Sequence, residues 1–178
     1  MPVCATRREL DTRRQHIVRL LRPIRHQNVG CDIGPGHQGA LVLCAHDGGR
    51  RAQGMAYRGE RFRTRVKTIW AQYFEIWREH SVHDGLVLDQ LCLNLYQIDS
   101  EARVFDELVS VHSEPGADSD MKKGPHLHVK KSVEPLGHCH FPLNYGHLKA
   151  VLQSGETLTN ALKDAVKILN EELMNRFA

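Results

Sequence analysis

The chain has 178 residues, 41% apolar and 25% charged, with a formal charge of +3 at neutral pH. That supplies enough apolar side chain for one packed core, and too small a net charge to mark a nucleic-acid binder by its overall field. Its five cysteines, Cys4, Cys31, Cys44, Cys92 and Cys139, are odd in number, irregularly spaced and lack a CxxC pair, which argues against a disulfide framework and a cysteine-based zinc knuckle.

The N-terminus carries arginines and no apolar h-region, so it does not read as a secretory signal. No run approaches the ~18 apolar residues of a membrane span, and a cytoplasmic protein without membrane contact is expected. Residues 1–54 hold nine arginines and no lysine, whereas all eight lysines lie at Lys67 or beyond. A helix is expected from about Arg7 to Leu21, and a short strand at Ala40–Cys44. The rest of this part is Gly-rich, and two readings fit it. It is a weakly structured basic extension that touches a partner or RNA, or it lies upstream of a native start at Met55. Either way, a single α+β domain is expected over 55–178.

From Glu60 the patterning strengthens. Phe62, Val66, Ile69, Trp70, Tyr73, Phe74 and Trp77 recur at steps of three and four, which predicts a helix over 61–78 with an aromatic stripe in the core. Leu91, Leu93 and Leu95 share one face of a strand predicted over Asp89–Ile98. Asp99-Ser100-Glu101 reads as a turn, Val104–His112 as a second strand, and Ser113–Asp120 as a loop. Two short strands follow. A closing helix is predicted over Thr157–Asn175, capped by Thr157 or Ser154, with Leu158, Leu162, Ala165, Val166, Leu169 and Leu173 on one side. The expected fold is α+β. It has a small, mostly antiparallel four-stranded meander, with an aromatic-striped N-terminal helix and a C-terminal helix packed on one face.

Twelve histidines are many for this length, and five fall between His126 and His147. In a strand, successive side chains point to opposite faces. The apolar pair Leu127 and Val129 therefore sends His126, His128 and Lys130 to the other face. Cys139 and Phe141 do the same for His138 and His140. If Glu134–Gly137 turns the chain into a hairpin, four histidines share one open face, with directly opposed Cβ atoms about 5 Å apart.

Three uses fit such a cluster. His126, His128, His138 and His140 could ligate a metal, zinc being the ion whose tetrahedral sites accept neutral imidazole. They could instead do acid–base chemistry on RNA, one histidine neutral and one protonated. Lys122, Lys123, Lys130, Lys131 and Lys149 against Glu134 give the stretch a local charge of about +4, suited to phosphate. Tyr145 and His147 could add a hydroxyl or a further imidazole. The third use is a polar sheet face that docks a partner protein without catalysis. His126-Leu127-His128 also resembles the His-hydrophobic-His element of rolling-circle nucleases, with Tyr145 and Lys149 standing for the tyrosine element.

Lys123-Gly124-Pro125-His126-Leu127-His128, followed after five residues by Glu134-Pro135, resembles the KG-x-H-x-H…EP signature of the TumE-type toxins of bacterial toxin–antitoxin pairs. The strand meander before it and the helix after it are similar too, over about residues 90–175. Departures are Pro125 before the first histidine, Leu136 where an aromatic is usual, and the second pair His138 and His140. The resemblance implies a growth-inhibiting toxin that acts on RNA and is neutralised by a cognate antitoxin. His126 and His128 would then be the acid–base pair, His138 or His140 would support or replace one of them, and Lys122, Lys123 and Lys130 would hold phosphate.

Overall fold

A computed structural model describes residues 3–47, 60–80, 83–99, 101, 104–129, 139–143 and 145–177. It begins with a two-residue strand β1 (Cys4–Ala5) and helix α1 (Arg7–Leu20). Thr6 caps that helix. Its side chain accepts from the backbone N–H of Glu9, and the Glu9 carboxylate accepts from the Thr6 N–H at 2.6 Å, a complete capping box. Leu10, Ile17, Leu20 and Leu21 face the core. Strands β2 (Val29–Pro35) and β3 (Leu41–Asp47) form a hairpin, and β3 continues into the sheet by pairing with β5 (Ile69–His80). Residues 3–47 thus build one helix and three strands of the common sheet and core, where a weakly structured extension was expected. The arginines conceal this. Arg13 itself is buried, which composition does not reveal. Met55 and its neighbours lie outside the described residues.

The segment expected as an aromatic helix over 61–78 is instead β4 (Arg61–Arg63), a turn and β5. The physical reason is two-sided burial. Ile69, Ala71, Tyr73 and Trp77 enter the main core, while Phe74 packs on the opposite face with Val42, Cys44 and Cys92. A strand buried on both faces loses its period-two signature, and its apolar residues then coincide with helical spacing.

Strand β6 (His83–Asp99) has 17 residues and is the centre of the sheet. It pairs with β5 on one edge, and with β1 and β7 (Val104–Ser113) on the other. After β7 come a short helix α2 (Asp120–Lys123), then β8 (His126–Val129) and β9 (Cys139–Pro142). Among the described residues the sheet has nine strands, in the order β2-β3-β5-β6-β7-β8-β9, with β1 on β6 and β4 on β5. Each pairing among the described strands is antiparallel. The α+β class and antiparallel sheet are as expected. The four-stranded meander is not, because the N-terminal strands and the β4–β5 segment enlarge it.

A 3-10 turn (Tyr145–His147), α3 (Leu148–Val151) and α4 (Gly155–Ile168) close the chain, and a single π-helical turn (Leu169–Leu173) ends α4. Ser154, not Thr157, is the cap, and Thr157 returns the capping hydrogen bond. Leu158, Leu162, Ala165, Val166 and Leu169 are buried as their spacing requires. Helices α1 and α4 cover one face of the sheet. No helix among the described residues is long and apolar enough to cross a membrane.

Candidate metal centre

The histidine strands obey alternation. Leu127 packs against the main core, and His126 and His128 take the opposite face of β8. Register then builds the site. His112 of β7 lies opposite His126, and Ser110 lies opposite His128. On the other side of β8, His128 lies opposite His140 and His126 opposite Pro142. Extended through β6 and β5, one transverse row reads Phe74, Cys92, His112, His126, and the next reads Gln72, Asn94, Ser110, His128, His140. An apolar row that ends in two histidines and a polar row thus meet at three imidazoles.

Those rings are close. Centroids are 4.1 Å apart for His112 and His128, 4.7 Å for His126 and His128, and 6.0 Å for His112 and His126. One ring nitrogen from each lies within 4.8 Å of the other two. Nitrogens on a zinc tetrahedron with bonds of about 2.0–2.1 Å sit about 3.3 Å apart, so a bound ion would draw the three rings closer together. The expected open face is enclosed at this point: His126 is 1% exposed and His128 7%.

The local chain fixes where β8 begins. Ser113 Oγ donates to the Lys123 carbonyl at 2.6 Å, and Glu114 N–H donates to that of Lys122 at 2.9 Å, which ties α2 to the end of β7. Leu143 N–H donates to the Pro125 carbonyl at 3.0 Å. At Gly124 an added Cβ would stand 2.7 Å from Leu148 Cδ1, so α3 closes over this glycine. Two groups orient the rings. Gly124 O lies 2.9 Å from His126 Nδ1, and Asn94 Oδ1 lies 3.3 Å from His112 Nε2. Carbonyl and carboxylate partners of this kind fix the tautomer and aim of metal-binding histidines.

His112 was not among the residues selected from sequence. Its signal was its parity in β7, legible only once β7 is known to pair with β8. Of the selected residues, the structure brings His126 and His128 together. His138 and Lys130 lie outside the described residues, as do Lys131 and the Glu134-Pro135 turn. His140 is placed by backbone register alone, and Tyr145 opens the 3-10 turn. Lys122 and Lys123 sit on α2, where Lys123 Nζ is 2.7 Å from Asp120. Lys149 is exposed on α3.

Cys31 and Cys44 are buried thiols. Burial, the largest influence, raises Cys31 and pushes Cys44 up to about 11.

A cleft of about 900 Å³ lies on the other side of the sheet between α1 and α4, over Arg13 and Trp77. Its chemistry is weaker than that of the histidines. Arg13 is already matched by Glu75, and the rim balances Arg19, Lys163 and Lys167 against Glu9, Glu156, Asp164 and Glu171.

No protein-family model, curated protein or solved structure matches the chain.

Proposed function

We propose that the protein is a metalloprotein that holds one divalent transition-metal ion, zinc by ligand type, through His112, His126 and His128. The observation that carries this reading is the convergence of three ring nitrogens within 4.8 Å, from two adjacent strands, in an enclosed setting. Imidazole is the common nitrogen ligand of zinc, and three histidines are a sufficient protein set when a fourth position goes to water or another side chain. The enclosure supports an ion that fastens β7 to β8 in preference to one that turns over a polymer.

The toxin-like reading, with action on RNA and neutralisation by an antitoxin, rests on the KG-x-H-x-H…EP segment. It requires an accessible acid–base pair beside free lysines. His126 and His128 are buried, so the described residues favour the metal reading. A partner-docking face has the same difficulty at these two positions.

The test is metal content and zinc titration of the purified full chain, beside the His112→Ala/His126→Ala/His128→Ala variant with its fold checked by circular dichroism. Close to one zinc per wild-type chain, and none in the folded variant, is the expected result. A wild-type chain that neither carries zinc nor takes it up at micromolar concentration overturns the proposal.

A further inference from the structure

Asn94 lies one strand away from His112, on β6, and is 8% exposed. Its Nδ2 donates to Gln72 Oε1 at 3.0 Å and to Tyr96 Oη at 3.1 Å. Tyr96 Oη in turn donates to Gln72 Oε1 at 2.9 Å. Both amide hydrogens of Asn94 are therefore engaged on the side away from the histidines, and its oxygen is turned to His112 Nε2 at 3.3 Å. An amide oxygen only accepts, so Nε2 of His112 must carry the hydrogen. A neutral imidazole has one N–H, which leaves the lone pair on Nδ1. The same logic at His126 gives the opposite answer. The Gly124 carbonyl accepts from Nδ1–H at 2.9 Å, so the lone pair is on Nε2.

We infer that Asn94 is a positioning residue of the metal centre: held by Gln72 and Tyr96, it keeps hydrogen on His112 Nε2 and presents Nδ1 to the ion, while Gly124 makes His126 present Nε2. This rests on the metal reading above, and adds to it a mixed ligand set fixed by groups on β5, β6 and the α2–β8 connection. Its physical basis is that a metal ion accepts only a nitrogen lone pair. A neighbour that decides which nitrogen is protonated also decides whether the ring binds without tautomer exchange or rotation.

The experiment is a two-bond proton–nitrogen correlation spectrum of the full-length protein, uniformly labelled with nitrogen-15, before and after addition of zinc sulfate. It is accompanied by zinc affinities of wild type, Asn94→Leu and Asn94→Asp measured against a chromophoric chelator. Before zinc, His112 is expected to show hydrogen on Nε2 and His126 on Nδ1. With zinc, the metal-bound nitrogens are His112 Nδ1 and His126 Nε2. Asn94→Leu is expected to weaken zinc binding by about 10–100-fold, the usual effect of losing such a partner. Asn94→Asp keeps the acceptor toward His112, and the Tyr96 hydroxyl and the Gln72 amide can turn their hydrogens to the new oxygen, so it is expected to keep the His112 tautomer and retain tight binding. The wild-type spectra decide the question even where Asn94→Leu fails to fold. Zinc bound through His112 Nε2, or a folded Asn94→Leu with wild-type affinity, overturns this inference and leaves the metal centre standing. Failure of the wild type to bind zinc overturns both.

Discussion

Arg13 Nε lies 2.7 Å from Glu75 Oε2, and the two side chains are 7% and 0% exposed. The carboxylate also accepts from Tyr73 Oη and from Trp77 Nε1, the latter at 2.8 Å, while Arg13 Nη1 reaches the Gly155 carbonyl at 2.8 Å and Thr159 Oγ1 at 2.7 Å. Burial works against the charge on Arg13, but the Glu75 carboxylate beside it outweighs this and raises its pKa above the ordinary value. Burial, then Glu75, pushes Tyr73 well above the phenol range, which keeps it a donor. Removing one ion strands the other in the core. Arg13→Met or Glu75→Leu alone is expected to destabilise by about 3–5 kcal/mol, and the double variant is expected to recover much of that. Urea denaturation of the four proteins measures it. Additive single effects would show that the pair is not coupled.

Metal binding should appear as stability. An ion that binds only the folded chain, supplied at about 100 times its dissociation constant, stabilises by about 2.7 kcal/mol. For a chain of this size that raises the melting temperature by roughly 5–10 °C. The rise is expected with zinc, and its reversal with a chelator. It is expected to shrink on acidification, because protons compete with the metal for imidazole nitrogen. A melting temperature indifferent to zinc at neutral pH would count against the centre.

The capping box of α1 predicts a pH dependence with a definite sign. Hydrogen bonds from the Thr6 backbone and side chain hold the Glu9 pKa below its ordinary value. A carboxylate depressed in the folded state contributes stability that is complete above its unfolded pKa and is lost as pH falls through the folded one. The stability gap between wild type and Glu9→Gln should therefore be present at pH 7 and narrow toward pH 3. Thr6→Ala is expected to cost about 1 kcal/mol at neutral pH. Denaturation midpoints across that pH range test both statements.

Gly85 sits at φ +103°, and a Cβ there would stand 2.9 Å from the Ala5 carbonyl oxygen. Both the conformation and the close approach of β1 require glycine. Gly85→Ala is expected to destabilise by roughly 1–3 kcal/mol. It should also loosen the hydrogen bond from Leu88 N–H to the Val3 carbonyl, now 2.9 Å. Hydrogen exchange at Leu88 reports this directly. Unchanged protection in the variant would mean that β1 tolerates the added methyl.

Local pattern carried some of this structure, and long-range pairing carried the rest. The face of α4 was legible because each turn repeats one environment, and Leu158, Leu162 and Ala165 are buried where period 3.6 puts them. The parity of His126, Leu127 and His128 was legible for the same reason at period two. The strand at Ile69–His80 was not, because the residues packed on both of its faces come from elsewhere in the chain. Nor was Arg13. An arginine beside Arg14 in an arginine-rich stretch resembles surface until Glu75 is placed beside it, 62 positions away. His112 failed likewise, since its histidine partners belong to a strand it meets only through register.

The central position of β6 also sets the order in which this molecule can assemble. At about 3.3 Å per residue its 17 residues run roughly 55 Å. Its edges are claimed by residues as early as Cys4 and as late as Ser113. On a ribosome, the first helix and the first hairpin emerge well before the strands they rest on. Arg13 then waits longer still, for Gly155 and Thr159. Folding is therefore expected to follow synthesis of nearly the whole chain, slowly, with β3 and β6 exposed as templates for other chains until their neighbours arrive.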